Sequence, residues 1–353
     1  MIRFKNKAVA ILLATVSIVG IGLGVSYAPA LAQSGSNALS VVPRKDYTIE
    51  PGKSVEDTLV VKNLDSKEPL HLNLRVIDFT FRDQTGTAEL MLDEDAEQTT
   101  WSLKPFLDIP EKVTVQPRET VTLDIGVEIP EGHGAGSYYS AIVYSTVAGE
   151  EGHLGVSASS TTLVFTSIPG DVNENLELEK LGAFNPNAQR YSFFNNSKPG
   201  VIGYTLKNEG NVTQAPLGTI TLKHTFGHEV TINDINPTKS LALIGQSRTF
   251  ESCIKLKREN VDFEGTRSEA ASCDTPTLWP GRYSVNMAAF YGQNGNVTQE
   301  LNGKGSFWYL PWWFVITVLA IAAIGGYYIW KASQYIKLNK QKSGKSKRSS
   351  RRK

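Results

Sequence analysis

Twenty-two consecutive residues near the C-terminus, Tyr309 to Trp330, carry no charge. As a helix rising about 1.5 Å per residue they reach roughly 33 Å, against a bilayer hydrocarbon core of about 30 Å. Aromatic residues crowd both ends: Trp308, Tyr309, Trp312 and Trp313 before the apolar run, Tyr327, Tyr328 and Trp330 at its close. That placement reads as the two belts that sit at headgroup level. A buried core helix is the other use of such a run, but it gives no reason for rings at both ends. The segment 309–330 is therefore expected to cross a membrane.

Residues 331–353 follow with ten Lys or Arg and no acid. Under the positive-inside rule this tail stays cytoplasmic and everything before Tyr309 lies outside a plasma membrane crossed once. A basic tail of this kind is expected to be disordered and drawn to anionic lipid headgroups; nucleic acid is the less fitting partner. At the other end, residues 1–32 have the form of a signal peptide: a basic MIRFKNK, an apolar Ala8–Val25, and a small-residue site placing cleavage between Ala32 and Gln33. The apolar stretch exceeds the usual length of such a core, so retention as an uncleaved anchor stays open; both outcomes put the ectodomain on one side.

The net charge of +1 hides an asymmetry. Of 36 Lys and Arg, three precede the first apolar run and ten lie in the tail, leaving 23 against all 35 Asp and Glu. The ectodomain thus carries a formal charge of −12, which keeps it soluble and repels polyanions. The two cysteines, Cys253 and Cys273, both fall in this exported part and are expected to pair.

Hydrophobicity in the ectodomain repeats with a period of two. In TVTLDIGVEIP, Val121, Leu123, Ile125, Val127 and Ile129 share one face while Thr122, Asp124 and Glu128 take the other. LHLNLRV, SVEDTLVVKN, VIGYTLKN and RYSVNMAAFYG repeat the pattern, with Gly, Pro and Asn turns between them. The expected fold is all-β: two tandem immunoglobulin-like β-sandwiches followed by one C-terminal transmembrane helix. Strand character lapses near 168–175, which puts the first sandwich at 38–172 and the second at 176–307. Residues 255–271 are charged and poorly patterned, and read as an insertion closed at its base by the cysteines.

Several of these turn-and-strand signals resemble those of the WxL-interacting proteins, membrane-anchored surface proteins of Gram-positive bacteria. The residues concerned are Tyr47–Ser54 with Leu59–Asn63, Val115–Pro130 with Gly136–Tyr139, and Leu206–Val212 with Pro216–Gly218. The resemblance implies a first domain that contacts peptidoglycan and a second that docks a surface partner protein. The cysteine-closed insertion departs from it.

Chemistry is sparse. His224 and His228 are four apart, a metal-ligand spacing on a helix, but here they fall on a strand and its turn and read as packing residues. Asp93, Glu94, Asp95 and Glu97 form an acidic cluster without the glycine or spacing of an EF-hand loop. His153 is isolated. There is no Gly-x-Ser-x-Gly elbow, Walker loop or His-Glu-x-x-His, and neither catalytic residue, cofactor nor metal is expected. Paired carboxylates of a glycosidase cannot be recognised from spacing, because they converge only in the fold. Tyr138, Tyr139 and Tyr144 place rings on both faces of one strand, so one is expected to be exposed or covered by the neighbouring domain, and they form the candidate binding surface. The expected role is a surface binding or scaffold protein. A wall-active enzyme and a ligand-sensing receptor subunit are the alternatives.

Overall fold

The computed structural model describes residues 39–93, 98–146, 159–263, 266–292 and 299–349, with the side chains of 159, 259–271 and 338–349 outside that description. The proposed leader with Ala32 and Gln33, Glu94–Glu97 of the acidic cluster and His153 lie outside the described residues.

The first sandwich is built from β1 (Leu39–Val41), β2 (Arg44–Thr48), β3 (Ser54–Asn63), β4 (Leu70–Ile77), β5 (Phe79–Phe81), β6 (Ala88–Leu90), β7 (Leu107–Asp108), β8 (Lys112–Val115), β9 (Thr120–Glu128), β10 (Gly136–Thr146) and β11 (Ser159–Ile168). A four-stranded sheet β1-β3-β9-β7 faces a five-stranded sheet β2-β11-β10-β4-β8, and β5-β6 forms a separate hairpin. The chain changes sheets at Pro43: β1 runs antiparallel to β3, and β2 runs parallel to β11. A proline at that step is tolerated because its missing N–H would have no ladder partner. The period-two residues meet between the sheets, where Leu59, Val61, Leu72, Leu74, Leu123, Ile125, Val127, Ile142 and Val164 are buried.

The second sandwich follows the same plan, with β12 (Leu176–Asn185), β13 (Arg190–Tyr191), β14 (Phe194–Asn195), β15 (Val201–Asn208), β16 (Leu217–His224), β17 (Glu229–Ile232), β18 (Ser247–Cys253), β19 (Leu256–Phe263), β20 (Thr266–Cys273), β21 (Gly281–Tyr291) and β22 (Gln299–Tyr309). Its sheets are β13-β12-β15-β18 and β14-β22-β21-β16-β17. They approach closely at Gly303 and Gly305, where a Cβ would lie 2.2 Å from the Leu178 side chain and 2.3 Å from the Leu181 carbonyl oxygen, so only glycine fits. The insertion is an antiparallel ribbon, β19-β20, outside both sheets, and Cys253 and Cys273 are disulfide-bonded across its base.

Helix α1 runs from Trp312 to Ser349, and Trp312–Lys337 is long and apolar enough to cross a membrane. This corrects two expectations. Trp308 and Tyr309 do not belong to the span: they end β22, with Phe307 and Tyr309 buried in the second core. They continue that strand's inward-outward alternation, Leu310 N–H donates to the Asn195 carbonyl at 2.8 Å, and helical bonds begin from the Pro311 carbonyl. The tail is not irregular either, because the helix continues through it to Ser349. Lys, Gln and Ala are good helix formers, and no proline interrupts them.

Candidate binding surfaces

The three tyrosines do not form a common surface. β10 carries Tyr139 on one face and Tyr138 and Tyr144 on the other, and Tyr139 and Tyr144 are both fully buried. Tyr144 fills the first core, its hydroxyl 3.3 Å from Thr162 Oγ1. Half-buried Tyr138 packs edge-on to His133, which packs edge-on to Phe106, and its hydroxyl donates to the Gly134 carbonyl at 3.1 Å. Tyr139 sits at the seam between the sandwiches, clustered with Phe79, Ala141, Phe165 and, from the second sandwich, Leu243. Leu241 and Ile244 pack on the same cluster. Burial pushes the Tyr139 phenol well above its ordinary range, and its hydroxyl faces the Ile244 backbone without a well-aligned hydrogen bond.

Polar contacts close the seam around this apolar centre. Gln246 meets the β5 hairpin through the Phe81 N–H at 3.2 Å and through Thr80 Oγ1. Thr249 N–H donates to the Gln84 carbonyl at 2.6 Å. Arg248 lies over the rings of Phe81 and Phe250, 4.9 and 5.2 Å from their centroids, and donates to the Leu241 carbonyl at 2.6 Å. Desolvation lowers the pKa of that guanidinium from its ordinary value. Across from it Gly86 takes φ +83°, and a Cβ there would stand 2.4 Å from the guanidinium.

A second brace comes from the turn after β15. Buried Asn208 donates to the Val212 and Ala242 carbonyls at 2.7 and 3.0 Å and accepts from Gly210 N–H at 3.0 Å. The turn so fixed presents Asn211 to the inter-sandwich connection, where it accepts from Asn173 N–H at 2.8 Å and donates to the Ala135 carbonyl at 3.2 Å. Its own carbonyl accepts from Ser137 N–H at 3.0 Å. Asn63 plays the matching part in the first sandwich, donating to the Glu68 and Val115 carbonyls. Lys-Asn closes a strand in both places, a repeated signal from which the shared turn could have been read.

Sequence spacing gave no hint of an open groove of about 580 Å³ on the first sandwich, lined by Glu56, Asp57, Asp108, Asp124, Pro110 and Gly126. Register explains it: β3 and β9 pair Glu56 with Gly126 and Thr58 with Asp124, and β7 sets Asp108 beside Gly126. Gly126 supplies no side chain, so the floor stays low between carboxylates. Asp57 is already committed, accepting from Lys45 Nζ at 2.7 Å, Tyr47 OH at 2.9 Å and Thr58 N–H at 2.7 Å. The Lys45 bond chiefly holds its carboxyl below the usual range. Among the described residues no group of three or more His, Cys, Asp or Glu is placed to hold a metal ion. His224 is a packing residue: its Nδ1 accepts from Phe226 N–H and its Nε2 lies 3.2 Å from the Pro280 carbonyl.

No family model matches the chain, and no curated protein matches it in sequence. Solved structures do. A class 5 fimbriae chaperone, CfaA, is 13% identical over 75% of this chain and 98% of its own, with a TM-score of 0.34. The CupB2 chaperone of Pseudomonas aeruginosa is 10% identical over 76% of this chain and 100% of its own, at 0.33. A Salmonella enterica SafA pilin–SafB chaperone structure is 10% identical over 77% of this chain and 95% of that one, at 0.32. At these identities and scores none of them says what this chain binds.

Proposed function

We propose that this is a membrane-anchored surface binding protein of the kind the WxL-interacting resemblance implies. The first sandwich contacts peptidoglycan and the second docks a surface partner protein, with no turnover of either. The observation that carries this reading is the direct run from β22 into α1, which ties two sandwiches joined by a closed seam to a helix able to cross a membrane. With Tyr139 and Tyr144 buried, the wall contact is assigned to the groove instead. Glu56, Asp108 and Asp124 offer acceptors to sugar hydroxyls and to the ammonium groups of stem peptides.

The full chain in detergent should sediment with purified peptidoglycan, and Glu56→Gln/Asp108→Asn/Asp124→Asn should stay largely in the supernatant. Equal sedimentation of both would remove the groove from the account. The same carboxylates favour a second reading, a wall-active enzyme using two of them as acid and base. Release of soluble muropeptides by the wild type, lost in the triple variant, would establish that reading in place of the first.

A further inference from the structure

Five aromatic side chains of the two sandwiches stand exposed among the described residues: Phe193, Phe194, Phe226, Trp279 and Phe290. Sheet register puts the first four at one end of the second sandwich. β14 lies parallel to the end of β22, pairing Phe194 with Trp308 and Asn195 with Tyr309, and Phe193 accepts from Trp308 N–H at 2.7 Å. β21 begins beside the same residues, with Gly281 opposite Tyr309 and Arg282 opposite Trp308, so Trp279 reaches this end. Phe226 tips the turn between β16 and β17, held there as Thr225 N–H donates to the Arg282 carbonyl at 3.2 Å. Phe226 and Trp279 are 83% and 51% exposed, and both rings pack around His224. Phe290 sits at the opposite end, across from Leu217.

That end is where α1 leaves. Only Leu310 and Pro311 separate β22 from the helix. Even fully extended, the chain from Tyr309 to Trp312 covers about 10 Å, little more than the headgroup layer on one side of a bilayer, roughly 5–8 Å. The end of β22, with β14 and the start of β21 beside it, is therefore held within about that distance of the interface once the helix spans the membrane. Charge agrees independently. The connections carrying the rings, 190–200, 223–228 and 275–283, contain Arg190, Lys198, Lys223 and Arg282 and no carboxylate, in an ectodomain of formal charge −12. Glu229, next along, stands opposite Lys223, and Asp274 is paired with Lys255 at 2.6 Å. The ribbon β19-β20 is rooted at this end too, since Ile254 N–H donates to the Gly200 carbonyl, and its sequence carries both signs of charge.

We propose that the second sandwich rests on the bilayer surface through this end, with Phe193, Phe194, Phe226 and Trp279 seated at headgroup level and the four basic residues among the lipid phosphates. Trp279 suits that zone because its indole is apolar with one polar N–H, and the three Phe rings gain by leaving water for the boundary between headgroups and acyl chains. The contact fixes the attitude of the two sandwiches joined at the seam, so the first sandwich is held at a set height instead of swinging on a two-residue tether. The proposal rests on α1 being a membrane span and on no assumption about what the first sandwich binds.

The test uses the full chain in lipid nanodiscs with spin labels at Asn196→Cys and Thr225→Cys beside the rings, Glu300→Cys at the far end and Leu319→Cys within the helix. Power saturation compares collisions with oxygen, which concentrates in lipid, and with a water-soluble nickel chelate. Labels at 196 and 225 should favour oxygen several-fold more than the label at 300, in discs of phosphatidylcholine alone and in discs with added phosphatidylglycerol. Phe194→Ser/Phe226→Ser, changing two exposed side chains, should abolish that preference. Labels at 196 and 225 as aqueous as 300, with 319 reading deep, would overturn the proposal and leave the anchor intact. An aqueous label at 319 would remove the anchor and the proposal together. Contact in the anionic discs alone, or contact unchanged in the double variant, would overturn the aromatic seat.

Discussion

Tyr139 offers the sharpest test of whether the two sandwiches form one body. Its ring is fully buried at the seam, 5.2 Å from Phe79, 5.7 Å from Phe165 and 6.0 Å from Trp101, with Leu243 of the other sandwich in the same cluster. Tyr139→Ala removes a large buried ring whose surroundings collapse only in part, a loss of about 3–5 kcal/mol. Tyr139→Phe keeps the ring and deletes a buried hydroxyl that lacks a well-aligned partner, so it should be neutral or stabilise by up to about 1 kcal/mol. Urea unfolding of the full chain in detergent, followed by tryptophan fluorescence, gives both numbers. Hydrogen exchange at 79–81 and 241–246 locates them, because a loosened seam exposes both segments at once. A Tyr139→Ala cost below about 1 kcal/mol would mean an open seam, far short of a buried ring's loss. A Tyr139→Phe cost above about 1 kcal/mol would mean that the hydroxyl makes a bond after all.

Gly86→Ala should loosen the same seam from the polar side. It forces alanine to φ +83° and drives a Cβ against the Arg248 guanidinium, for a loss of about 1–3 kcal/mol by the same unfolding assay. Cys253→Ser/Cys273→Ser should cost about 3 kcal/mol on the loop-entropy account, and mass mapping of the unreduced wild type should recover one peptide joining both residues. Asp57 has its folded pKa depressed below the ordinary 3.8, so its contribution is complete above that value and is lost as pH falls through the folded pKa. Asp57→Asn should therefore be less stable at neutral pH and show a flatter acid limb below pH 3.8 in an unfolding series.

The fold class was legible because burial between two sheets imposes a period of two. Leu123, Ile125 and Val127 could be assigned inward from residue type alone. The helix boundary was less legible. Trp308 and Tyr309 suit a membrane interface by composition, and only the alternation through Phe307 and Tyr309 marks them as strand. Composition and periodicity conflicted there, and packing decided it. Tyr139 shows the limit of reading one strand alone. Rings on both faces implied that one is exposed or covered by the neighbouring domain, and which of these holds is decided by Leu241, Leu243 and Ile244, about a hundred residues away, with no local signal. The acid-lined groove depends on which strands pair and in what register, which patterning along a single strand does not encode. The seam also bears on experiment, since cutting the chain between the sandwiches would expose Phe79, Tyr139 and Phe165.

The proposed function requires both sandwiches to be displayed outside the cell by one C-terminal helix, and labelling of intact cells with a membrane-impermeant maleimide reads that directly. Ser66→Cys lies in an exposed loop of the first sandwich, and Ser349→Cys lies at the far end of α1. The first cysteine should be labelled without permeabilisation and the second only after it. Labelling of Ser349→Cys in intact cells, with Ser66→Cys protected, would contradict it.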